Sequence, residues 1–208
     1  MAAKVDELVD RVATDLAVPL QEAARREILT WLDRLSEWNA RIDLTAARSP
    51  EELVDLMLAD ALVLSARVQP GGRVVDVGTG AGAPGLPLAL LRADLRVALV
   101  EPLGKRVSFL RTVLGATGRT DVEVERARGD ELAGRRKFDA AISRATLSPA
   151  EWLGLGVRLV EPGGRVWVLL ATDDPPADPL ATLVEEHRYE WPLTKVRRTL
   201  AGYSVGGG

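Results

Sequence analysis

Asp76 stands two residues ahead of Gly78 in the run Val74-Val75-Asp76-Val77-Gly78-Thr79-Gly80-Ala81-Gly82-Ala83-Pro84-Gly85. The apolar residues before Gly78 read as a buried strand, and Leu86 to Leu91 read as the opening of a helix. Glycine has no Cβ and takes positive φ at little cost, so a loop of this kind brings bare backbone against a ligand. Amide N–H groups at the following helix start then face that ligand. The chemistry this pattern supports is the binding of a nucleotide-like cofactor at the end of the first strand of an α/β sheet.

The spacing Gly78-x-Gly80-x-x-Ala83 is compatible with a dinucleotide, whose site accepts alanine at the third small position. Glu101, at the end of the second strand, suits a ribose diol, which any adenosine cofactor presents. Two features favour S-adenosylmethionine. Asp76 would attract its ammonium and sulfonium, whereas a pyrophosphate would be repelled. Gly78, Gly80, Gly82 and Gly85 also give a longer permissive loop than a dinucleotide needs. If the first 70 residues are helical, roughly 140 remain, enough for one sheet domain and no separate substrate domain. A dinucleotide stays open as the alternative at this level.

Composition narrows the chemistry further. The chain has 208 residues, no cysteine and one histidine. That excludes disulfides, thiolate zinc sites, a cysteine nucleophile and a multi-histidine metal centre, so no metal is expected. His187 is expected on the surface of a late helix. No apolar run approaches a membrane span, and the acidic start Asp6-Glu7 does not resemble a signal peptide, so a cytoplasmic protein without a membrane partner is expected. The net charge is -3. It is unevenly spread: residues 1–70 hold 8 basic and 13 acidic side chains, residues 101–145 hold 10 basic and 7 acidic. A local basic surface is therefore compatible with an acidic whole.

The elements that must position these residues follow from periodicity. Val5, Leu8, Val9, Val12 and Leu16 form a helical stripe, and Leu20, Ala24, Ile28, Trp31, Leu35 and Trp38 another, with Pro19 placed to begin it. Ser49-Pro50-Glu51-Glu52 has the form of a capping box ahead of Leu53, Leu56, Met57, Ala61 and Leu64. After Pro70-Gly71-Gly72 short apolar runs alternate with helices. Strands are expected near 73–77, 96–101, 121–126, 138–143 and 164–170, and helices near 85–92, 104–116, 149–159 and 179–187, with a last extended segment at 189–198. This alternation predicts a parallel sheet covered by helices. The organisation expected is a helical portion over 1–70, a sheet domain over 71–201 and a flexible tail over 202–208.

Several motifs together resemble the RsmG family, also called GidB, the bacterial guanine-N7 methyltransferases of small-subunit ribosomal RNA. Trp38-Asn39-Ala40-Arg41-Ile42-Asp43-Leu44-Thr45 is similar to the family's W-N-x-x-x-N-L-T. Asp76 to Leu88 matches D-V-G-[ST]-G-x-G-x-P-G-[IL]-P-L, and Gly104-Lys105-Arg106 with Phe109-Leu110 matches G-K-R-x-x-F-L. Arg128-Gly129-Asp130 resembles R-x-E, and Phe138 to Ala145 matches F-D-x-[VI]-x-S-R-A. The resemblance implies a class I S-adenosylmethionine-dependent methyltransferase sheet (Rossmann-like) behind a helical N-terminal extension, ending in an antiparallel strand that would be 189–198. It implies cofactor contacts at Gly78, Ala83 and Glu101, adenine contacts at Gly129 and Asp130, and Arg144 at the methionine portion or the transfer site. It further implies Asp60 as an acid that offsets charge on the guanine, Lys105 and Arg106 as RNA-phosphate contacts, and small-subunit ribosomal RNA as partner of a monomer.

The chemistry suits the composition, since guanine N7 carries a lone pair and needs no base to free it. The chain departs from the family pattern where Leu56 and Met57 replace Arg-His, and where Leu170 and Ala171 replace Lys-Gly. A methyltransferase of the same fold acting on another RNA or a small molecule, or a non-catalytic S-adenosylmethionine-binding module, is the alternative.

Overall fold

The uninterrupted apolar strands form because both faces of the sheet are covered. The computed structural model describes residues 2–206. Seven strands, β1 (Arg73–Val77), β2 (Arg96–Val100), β3 (Glu123–Glu125), β4 (Phe138–Ser143), β5 (Val160–Leu170), β6 (Ala181–Glu190) and β7 (Arg197–Val205), lie in the order β3-β2-β1-β4-β5-β7-β6. The first five strands are parallel; β7 runs antiparallel to both β5 and β6.

Alternate residues divide the core into two. Val74, Leu99 and Ile142 face a cluster that also holds residues of α1 (Ala2–Asp15), α2 (Glu22–Asn39), α5 (Gly85–Leu91) and α6 (Gly104–Thr117). Val75, Val77 and Ala141 face α7 (Gly129–Leu132) and α8 (Pro149–Leu159) on the other side. The N-terminal helices thus share a core with the sheet. Trp31 also donates its indole N–H to Ala81 O at 3.0 Å, clamping α2 to the glycine loop.

The helix expected after Ser49 is interrupted. α3 (Pro50–Val54) and α4 (Asp60–Ser65) are joined by a π-helical turn at Asp55–Ala59. Ser49 caps it, its Oγ accepting from Glu52 N at 3.1 Å, but Glu52 reaches back to Arg48 N rather than to Ser49 N. At α2, Pro19 lies ahead of the first turn, which begins at Glu22.

The C-terminal expectations need three corrections. Residues 179–187 are not a helix: Ala181–Glu190 is the edge strand β6. Half-buried Glu185, His187 and Tyr189 alternate there with exposed Glu186, Arg188 and Glu190, a period of two concealed by polar residues on both faces. His187 therefore pairs with Leu200 on a strand. The segment 189–198 is not the antiparallel strand but spans the end of β6 and the turn into β7. β7 is the strand beside β5, with Trp167 opposite Gly202. Finally, 202–205 is no tail but the end of β7; Gly207 and Gly208 lie outside the described residues.

Gly202 is required by a close approach, since a Cβ there would fall 2.5 Å from Trp167 Cζ3. Gly202→Ala is expected to cost about 1–3 kcal/mol by overpacking. For a chain of this size that lowers the melting temperature by several degrees, ~2–4 °C per kcal/mol, with far-UV dichroism unchanged.

Candidate active site

Neighbouring strands β2, β1 and β4 end together, and the first residue after each is Glu101, Gly78 and Arg144. The register fixes this: Val77 pairs with Val100, and Asp76 with Ile142. Ser143 Oγ donates to Val77 O at 2.7 Å across the β1–β4 junction. Chain connections diverge at that junction, which is where open α/β sheets form a crevice.

A cleft of about 530 Å³ lies there. Gly78, Gly80, Ala83, Glu101, Arg106 and Arg144 line it. Gly78 has φ +70° and lies so close under Thr146 that no side chain fits; Gly80 has φ +61°. The loop is held from below and from the side. Gly78 N and Thr79 N donate to Val100 O at 2.8 and 3.2 Å. Glu101, buried, accepts from Gly80 N at 3.0 Å on one oxygen and from Leu103 N at 2.9 Å on the other. Arg106 Nη1 is 3.8 Å from that carboxylate.

Other residues singled out in the sequence sit elsewhere. Asp76 does not line the cleft. It shares the Val74 face of β1 and accepts from Gly85 N at 2.8 Å, bracing the loop from beneath. Gly85 is the residue that permits this, because a Cβ there would lie 2.5 Å from Asp76 Cβ. Gly82 is likewise off the lining. Gly129 packs tightly on Val77, and the exposed side chain of Asp130 pairs with Arg128 at 3.3 Å. Lys105 is exposed and outside the cleft wall.

Burial pushes the Asp76 carboxyl up to about 6, partly offset by Thr79, the Gly85 amide and Arg144. The Thr79 hydroxyl is near but out of hydrogen-bond geometry, so Asp76 Oδ1 and Thr79 Oγ1 have no partner. With the folded value above the unfolded one, the cost of the buried anion is fully present above about pH 6 and is relieved as pH falls toward 4. Asp76→Asn is therefore expected to be more stable relative to wild type at pH 8 than at pH 4. The difference should be roughly 3 kcal/mol, read from denaturant unfolding at each pH.

Residues missed by the sequence reading complete the cleft. Asn39 Oδ1 accepts from Leu44 N at 2.8 Å and Thr45 N at 3.0 Å, folding the loop after α2 so that Leu44, Thr45 and Ala46 form a wall. The signal was present in the Trp38-Asn39…Leu44-Thr45 motif, without a role attached.

A second cavity of about 300 Å³ adjoins the first and shares Leu56, Arg144 and Ala145 with it. Arg144 is at the junction. Its guanidinium donates to Leu56 O in the π-helical turn and to Asp60 Oδ2 at 3.0 Å. Because the Leu56 partner is backbone, an apolar side chain at this position is no obstacle. Met57 is buried in the helical core. Asp60 is buried and also accepts from Tyr189 Oη and Trp191 Nε1, both at 2.7 Å. Arg198 stacks on the Trp191 ring, 4.0 Å from its centroid, and lines the second cavity.

The donor set fits S-adenosylmethionine. Each Glu101 oxygen takes one backbone N–H and keeps a lone pair, which suits the two hydroxyls of a ribose. Arg106 and Arg144 supply positive charge for a carboxylate.

Comparisons with known proteins agree. The family model for GidB, rRNA small subunit methyltransferase G, matches residues 24–176. A ribosomal RNA small subunit methyltransferase G from Anaeromyxobacter dehalogenans strain 2CP-1 is 35% identical over 198 residues, covering 89% of this chain and 91% of that one. Its namesake from Yersinia enterocolitica is 36% identical over 178 residues, 85% of each chain. Among solved structures, a methyltransferase from Pyrococcus furiosus superposes with a TM-score of 0.58 at 13% identity, covering 87% of this chain and 98% of that one. That likeness concerns the fold. Among the described residues no helix is long and apolar enough to cross a membrane.

Proposed function

Since the chain belongs to the rRNA small subunit methyltransferase G family, and is thus an S-adenosylmethionine-dependent methyltransferase, we propose that it methylates N7 of a guanine in small-subunit 16S ribosomal RNA. The observation that carries this reading is the pair of adjoining cavities with Arg144 between them. One cavity has the donor groups for S-adenosylmethionine; the other offers a place for a base taken out of its stack.

The bound cofactor supplies an electrophilic methyl group on a sulfonium. The protein supplies position. Glu101 holds the ribose through its free lone pairs, and the Gly78–Gly80 backbone admits the ligand against the strand ends. Arg106 and Arg144 hold the methionine carboxylate. The base enters beside Arg144, and alignment of the two reacting atoms is the main contribution to rate. Asp60 does not act as a base, because its oxygens are committed to Arg144, Tyr189 and Trp191, and N7 has no proton to lose. Lys105, exposed and with no ion pair among the described residues, is a candidate for RNA phosphate, whereas Arg106 belongs to the donor cleft. On this reading Asp130 approaches the adenine only after leaving Arg128. On this reading the protein works as a cytoplasmic monomer on small-subunit ribosomal RNA.

The test is incubation with labelled S-adenosylmethionine and small subunits from cells lacking this gene. Label is expected in the 16S RNA. Label confined to small molecules would contradict the reading.

A further inference from the structure

The C-terminal hairpin reaches the cavity junction with two side chains that the reaction itself does not require. Tyr189, on β6, and Trp191, in the turn after it, both donate to the same oxygen of Asp60, at 2.7 Å each. The other oxygen accepts from Arg144 at 3.0 Å. Asp60 is the first residue of α4, directly after the π-helical turn whose Leu56 carbonyl takes the guanidinium's other bond. Asp55, at the start of that turn and buried, accepts from Thr194 N and Thr194 Oγ1 at 2.7 Å each, tying the same hairpin to the same helix. Burial and the Asp60 charge push the Tyr189 phenol upward, so it stays a donor.

We propose that Tyr189 and Trp191 are positioning residues: by occupying one oxygen of Asp60 they hold the other on Arg144 and fix the guanidinium between the two cavities. The carboxylate can rotate about its terminal torsion. Two neutral donors on Oδ1 remove that freedom, leaving Oδ2 aimed at Arg144. A bond between two atoms of one chain thus becomes a bracket across three segments, so the edge strand contributes to a site at the sheet's centre. This inference rests on the proposed reaction for its kinetic readout only.

The test uses Tyr189→Phe and Trp191→Phe in the full chain, with Tyr189→Phe decisive alone if the other does not fold. A displaced guanidinium is expected to lower kcat/KM for S-adenosylmethionine about tenfold, while the melting temperature falls only slightly. In an Arg144→Lys background, where no guanidinium is left to position, the same substitutions should cost under about twofold, a non-additivity that a purely structural role would not produce. Independently of turnover, separate Nη signals of Arg144 in nitrogen-15 spectra should merge in the double variant. Equal losses in both backgrounds, or unchanged Nη signals, would overturn the proposal. A wild-type protein that transfers no methyl would overturn the proposed function instead, and the Nη signals would still decide this one.

Discussion

Arg144→Ala should reduce methyl transfer roughly a hundred- to a thousand-fold, the scale for removing one preorganised charged donor at a reacting centre. The expectation follows from its place. It lines both cavities, and the Leu56 carbonyl and Asp60 hold it there. Breaking a buried pair commonly costs about 3–5 kcal/mol because it strands a charge. Here Asp60 keeps the Tyr189 and Trp191 donors, so the loss of stability should be nearer ~1–3 kcal/mol and the fold should survive. Arg144→Lys keeps the charge but a single ammonium does not reproduce the planar fork, so a loss of at least about tenfold is expected. Steady-state transfer with a melting curve checks both. Unchanged turnover in Arg144→Ala would remove this residue from the site.

Glu101→Ala is expected to act on the other half of the reaction. Two charge-assisted hydrogen bonds to ribose, at about 1.5–3 kcal/mol each, correspond to at least a hundred-fold loss in donor affinity. The effect should be larger still because Gly80 N and Leu103 N lose their buried acceptor. Glu101→Gln keeps one acceptor oxygen and should fall between. Calorimetric titration with S-adenosylmethionine separates the three proteins. A dissociation constant for Glu101→Ala within threefold of wild type would place the ribose elsewhere.

How far such a site is legible depends on how local its parts are. Gly78 and Glu101 are legible because each closes a short apolar run, and parallel strands in register bring run ends together; Arg144 comes only from the likeness of Phe138 to Ala145 to the family's motif. Asp76 is legible as a carboxylate at the strand end, but its partner is the Gly85 amide and not the ligand. Beneath a strand–loop–helix turn its side chain meets the Gly85 amide, and the electrostatic attraction argued for a cationic ligand does not choose a direction. The wall made by Asn39 and Leu44 was present as a motif without a mechanism. Tyr189 and Trp191 carried no signal at all. They meet Asp60 from 129 and 131 positions away, through a hairpin whose polar, two-sided first strand reads as a helix over 179–187 and as extended only from 189. Long-range antiparallel pairing leaves little local pattern when both faces carry charge.

The most direct test is the identity of the methylated base. Small subunits from cells lacking this gene, treated with the purified protein and S-adenosylmethionine, would be digested to nucleosides and examined by mass spectrometry. The expected result is one new 7-methylguanosine per 16S RNA, absent with Arg144→Ala. A methyl group on any other atom or base, or none in the RNA while the protein binds the donor, would contradict the assignment.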